Sequence, residues 1–72
     1  MDGEVTGQIT IVQEDRIRVV DELGRGYLFT VSARRASLRD LERWRDAQTP
    51  VRVRFDGIPD LGARADQIEP LT

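Results

Sequence analysis

The chain has 72 residues, a net charge of -2, no cysteine and no histidine, and its eleven basic residues are all arginine. That length allows one domain, and the missing residue types exclude disulfides, thiolate nucleophiles, imidazole bases and lysine imine chemistry. An acidic chain is a poor nucleic-acid coat, for which a basic domain is expected, so any contact with phosphate must come from a local arrangement of arginines.

Residues 5–12, VTGQITIV, alternate with the period of a half-buried strand: Val5, Gly7, Ile9 and Ile11 on one side, Thr6, Gln8, Thr10 and Val12 on the other. Gln13, Glu14 and Asp15 make a polar turn. Residues 16–20, RIRVV, alternate again, with Ile17 and Val19 opposite Arg16 and Arg18. The glycine-bearing DELGRG, 21–26, is a loop, and YLFTVS, 27–32, is a third strand with Tyr27, Phe29 and Val31 on one face.

The period then becomes helical. Ser37 followed by Asp40 resembles a capping box with aspartate in the glutamate position, and the acid suits the positive end of the helix dipole. Leu38, Leu41 and Trp44 recur every three residues as one apolar stripe of a helix over 37–47. Arg39–Glu42, Asp40–Arg43 and Glu42–Arg45 are opposite charges at i,i+3. Thr49-Pro50 ends the helix, because the residue before proline avoids the helical region. Residues 51–55, VRVRF, form a fourth strand with Val51, Val53 and Phe55 inward and Arg52 and Arg54 outward. A long turn over 56–62 leads to a weaker fifth strand over 63–69, with Ala63, Ala65 and Ile68 facing in.

Three strands, a helix and two strands predict an all-β domain with one short helix: a five-stranded OB-fold barrel, helix between strands 3 and 4. An SH3-like barrel is the competitor, but it does not ordinarily place a three-turn helix there. In the barrel, Leu38, Leu41 and Trp44 plug the open end, and Ile9, Ile11, Ile17, Val19, Phe29, Val31, Leu41, Val53 and Phe55 form the core. No apolar run reaches the ~18 residues of a membrane span, and the acidic start MDGEVTGQ is unlike a secretory signal. A cytoplasmic protein without a membrane partner is the expectation.

The spacing of Gly7-x-Ile9, Arg16-Ile17-Arg18-Val19, the turn at Gly24, Val51-x-Val53-x-Phe55 and the return GIPDLGARADQI, 57–68, resembles the small single-domain OB proteins, namely cold-shock domains and translation initiation factor one. The resemblance is one of pattern and covers roughly residues 5–70. It implies the barrel, and single-stranded nucleic-acid binding as the family's commonest function. RGYLF, 25–29, also sits close to the ribonucleoprotein signature whose exposed aromatics stack on bases. Strand alternation opposes that use: it puts Tyr27, Phe29 and Val31 in the core and leaves Leu28, Thr30 and Ser32 outside with Arg16, Arg18 and Val20. A one-residue slip of register would exchange the two faces.

The candidate binding residues are the outward polar set. With strand 1 between strands 2 and 4, Arg16 and Arg18 flank one side of Gln8 and Thr10, and Arg52 and Arg54 the other. Four guanidiniums around that strip could track a phosphate backbone. The plainer reading is that their stems cover apolar surface and their heads pair with some of the thirteen acids. Trp44, at the edge of the helix stripe, is either a plug or a stacking and docking residue, and Arg34 and Arg35 extend the patch or solvate a loop. No carboxylate spacing fits a calcium loop, and no glycine-rich phosphate loop is present. The expectation is a non-enzymatic module with no metal and no cofactor. It would bind single-stranded RNA or DNA weakly and without sequence preference; the alternative is a protein–protein interaction domain with no nucleic-acid binding.

Overall fold

Alternating apolar side chains need a closed surface to bury their inner face, and five such strands find it here in a barrel. The computed structural model describes residues 2–58 and 62–71. Strands β1 (Asp2–Gln13), β2 (Arg16–Val20) and β3 (Gly26–Thr30) precede helix α1 (Leu38–Asp46), and β4 (Pro50–Asp56) and β5 (Ala63–Pro70) follow it. The sheet closes in the order β1-β2-β3-β5-β4. The pairings are antiparallel except β3 with β5, which run parallel and among the described residues meet at Phe29–Ala63 and Thr30–Arg64. This is the five-stranded closed barrel expected from the sequence, with the helix between β3 and β4, and it is compatible with an OB-like fold.

The long first strand serves two neighbours. Its first half pairs with β4 through Gln8–Pro50, and its second half pairs with β2 from Gln8–Val20 onward. The changeover brings backbones close at Gly7, where a Cβ would collide with the Val20 carbonyl, so the position takes glycine for want of space.

Just beyond, the ladder steps from Ile9–Val19 to Ile11–Arg18, and Thr10 is left as the extra residue of a β-bulge. The bulge corrects the expected core. An added residue exchanges inside and outside, so Ile11 points out and is 47% exposed, while Val12 turns in against the core. A second irregularity lies between Arg54–Gln67 and Phe55–Ala65 and makes Asp66 the extra residue of β5. That is why Ala63, Ala65 and Ile68 all face inward although their spacing is two and then three.

The other eight expected core residues are buried, joined by Ala36, Val51, Ala63, Ala65 and Ile68. Phe29 is the centre: its ring lies 5.2 Å from Phe55, tilted by 46°, and 6.4 Å from the half-buried Tyr27.

Helix α1 is capped at both ends by its own sequence. The Ser37 hydroxyl accepts from the Asp40 amide at 3.1 Å. At the other end Thr49 N–H bonds to Trp44 C=O and Gln48 N–H to Arg45 C=O, a Schellman pair in which Gln48 takes the left-handed conformation at φ 54°. Leu41 seals the barrel and Trp44 packs half-buried beside it. Leu38 does not plug the barrel as expected; it opens the helix and is 49% exposed. Helical side chains lean toward the N-terminus, so one on the first residue is carried past the barrel end. Of the three i,i+3 ion pairs only Asp40–Arg43 forms among the described residues, at 2.8 Å; Arg45 pairs with its neighbour Asp46 instead.

Candidate binding face

The four outward arginines do not gather around Gln8 and Thr10. Because β1 pairs with β4 in one half and β2 in the other, they separate toward its two ends. Arg52 stands opposite Thr6 and Arg54 opposite Glu4, whereas Arg18 stands opposite Ile11 and Arg16 opposite Gln13. Gln8 lies at the changeover, exposed between Val20 and Pro50, and the Thr10 hydroxyl donates to the Arg18 carbonyl at 3.4 Å.

The two pairs also differ in electrostatics. Arg52 reaches Glu4 at 3.2 Å and Glu69 at 3.3 Å, and Arg54 reaches the other oxygen of Glu4 at 3.5 Å. Two cations and two anions cancel on the β1–β4–β5 side. Arg52 Nε is shielded from solvent and close to Glu4 without the alignment of a hydrogen bond, so this contact is an ion pair only. A phosphate arriving there would have to displace carboxylates.

Arg16 and Arg18 make no ion pair with any described residue, and neither does Arg64, which follows Thr30 across the β3–β5 junction. The ladders set these residues in two rows that cross the strands. One row is Ile11 on β1, Arg18 on β2 and Leu28 on β3; the next is Gln13, Arg16, Thr30 and Arg64. Ile11 and Leu28 are each 47% exposed, one on either side of Arg18. The Arg18 guanidinium lies over Gly26, where an added Cβ would come within 2.6 Å of Nη2, so the bare backbone of β3 gives the side chain its seat. On the other side of Leu28 a depression of about 320 Å³ opens between Arg16, Leu28, Thr30 and Gly62.

Five residues of this face, Ile11, Gln13, Leu28, Thr30 and Arg64, are not among the sequence candidates, and the two aliphatic ones show why. Ile11 was assigned to the core, and only the bulge puts it outside. Leu28 was placed outside by alternation but carries no chemistry that marks it alone. Trp44 sits on α1, half-buried against the core, and is not part of either row. Tyr27 is no stacking platform: its ring packs on Phe29 and its hydroxyl donates to Asp21 at 2.9 Å.

Fold and face together define a small closed β-barrel whose outer surface over β1, β2 and β3 is cationic and aliphatic. The chain matches no protein-family model, and no curated protein or solved structure is significantly similar to it.

Proposed function

We propose that this chain is a non-enzymatic binding module whose ligand face is the outer surface of β1, β2 and β3. The observation that carries the reading is the contrast between the two arginine pairs. Arg52 and Arg54 already have carboxylate partners, whereas Arg16 and Arg18 have none among the described residues and lie beside exposed aliphatic side chains. Two such cations on one strand favour an anionic ligand, and they act on its whole length by charge rather than at one reacting atom. Five-stranded barrels of this order commonly bind chain-like ligands on the β2–β3 face, although fold alone does not assign function.

Single-stranded nucleic acid is one such ligand, and the pattern likeness to cold-shock domains and translation initiation factor one favours it. The face offers at most three free guanidiniums and no ring, so that binding would be weak, indifferent to base sequence and steeply reduced by salt. An acidic segment of a protein is the other, and the aliphatic pair favours it.

Amide chemical-shift mapping tests the shared reading. Titrating the labelled protein with oligo(dT) and with a glutamate-rich peptide should move the amides of Ile11, Arg18 and Leu28 for at least one of them. Shifts confined to the Arg52–Arg54 side, or none with either probe at low salt, would refute it.

A further inference from the structure

Resting on that reading of the face, we infer that its partner is a protein segment that sets an acidic side chain between aliphatic ones, and not a nucleic acid. The row Ile11–Arg18–Leu28 carries the inference. Three adjacent strands set Ile11, Arg18 and Leu28 side by side, and the Arg18 guanidinium, with no ion-pair partner among the described residues, reaches diagonally past Leu28 to lie over Gly26. Single exposed aliphatics are ordinary on a protein surface, but these two share one row with Arg18, whose guanidinium lies to one side of it over Gly26. A phosphate backbone would use Arg18 and leave Ile11 and Leu28 uncovered, and bases gain most from rings, which the face lacks.

A carboxylate flanked by leucine-like side chains uses all three at once. It takes the Arg18 guanidinium, whose planar fork matches a carboxylate in two parallel hydrogen bonds, and it removes the flanking methyl groups from water. Arg16, one row along, offers a second carboxylate site. Arginine is enriched in protein interfaces for these reasons. Arg18 is also pre-positioned: Gly26 leaves its guanidinium a place over β3, so less side-chain freedom is lost on binding.

Three probes of equal charge separate the possibilities: a glutamate-rich peptide carrying two leucines, an all-glutamate peptide and oligo(dT). The leucine-bearing peptide should bind roughly tenfold more tightly than either of the others, the scale expected from covering part of two aliphatic side chains. Ile11→Ser with Leu28→Ser should bring the leucine-bearing peptide down to the affinity of the all-glutamate peptide, with the melting temperature held as the check on folding. Gly26→Ala, which pushes Arg18 from its seat, should weaken both peptides. If oligo(dT) binds as tightly as the leucine-bearing peptide, or if the serine variants bind that peptide normally, the inference fails while the face still stands. If no probe reaches the face, inference and face fall together.

Discussion

The Tyr27 hydroxyl donates to the Asp21 carboxylate at 2.9 Å, and the other oxygen of the same carboxylate accepts the amides of Leu23 and Arg25 at 3.0 and 2.9 Å. One side chain thereby ties the whole β2–β3 loop. The hydrogen bond from the Arg25 amide is the main cause that holds the Asp21 carboxyl below its ordinary range, with the Tyr27 hydroxyl and the Leu23 amide adding to it against a partial desolvation. The folded pKa lies below the unfolded one, so this contribution to stability is complete above about pH 4 and is lost as pH falls through the folded value. Urea melts should therefore lose midpoint on acidification more steeply for the wild type than for Asp21→Asn. Equal acid limbs would show that the loop is not held by this charge.

The same bond acts in the opposite direction on the phenol. Donation to Asp21 raises the Tyr27 pKa. Its share of stability is present below about pH 10 and lost as pH rises through the folded value. Tyr27→Phe should lower the melting temperature at neutral pH and flatten the alkaline limb. An unchanged alkaline limb would place the hydroxyl in solvent.

Phe29→Ala removes the ring that touches both Phe55 and Tyr27 and should cost ~3–5 kcal/mol, enough to unfold much of a domain this small. Leu28→Ala, one residue away on the outer face, should melt within a few degrees of wild type. Equal effects at the two positions would mean that the register of β3 is the other one.

Gln48 occupies the left-handed position that closes the Schellman turn. A residue with a Cβ is strained there by ~1–2 kcal/mol, and glycine is not. Gln48→Gly should raise the melting temperature by about 4–8 °C for each kcal/mol recovered in a domain of this size. A lower melting temperature would mean that the glutamine side chain, not the backbone angle, closes the helix.

Most of the barrel was legible because period and punctuation agreed. The alternations in RIRVV and VRVRF, the Ser37 cap and Thr49-Pro50 each fix a face or an end by local chemistry. The binding face was legible only in part, and the bulge at Thr10 is the reason. Nothing in ITIV says which residue is the extra one, because all four are good strand formers and no glycine among them marks the bulge. The division of the arginines was hidden for a similar reason. Arg52 and Arg54 read the same as Arg16 and Arg18 in sequence, and only the register that brings Glu4 and Glu69 beside them neutralises one pair.

If nucleic acid does bind, its salt dependence counts the arginines used. Contacts from Arg16, Arg18 and Arg64 predict a log–log slope of about -1.4 to -2.1, for two to three phosphates at roughly -0.7 each. A slope near -2.8, the value for about four phosphates, would require one arginine beyond these three.

The central claim is that ligands meet the β1–β2–β3 side and not the β1–β4–β5 side. The direct measurement is the affinity of two double variants, Arg16→Ala with Arg18→Ala and Arg52→Ala with Arg54→Ala, for whichever anionic probe the wild type binds. The account predicts that the first pair abolishes binding at an unchanged melting temperature, while the second keeps most of it, weakened only at long range by the loss of two positive charges, because Arg52 and Arg54 are paired with Glu4 and Glu69 and do not meet the ligand. Loss of binding in the second pair with retention in the first would contradict it.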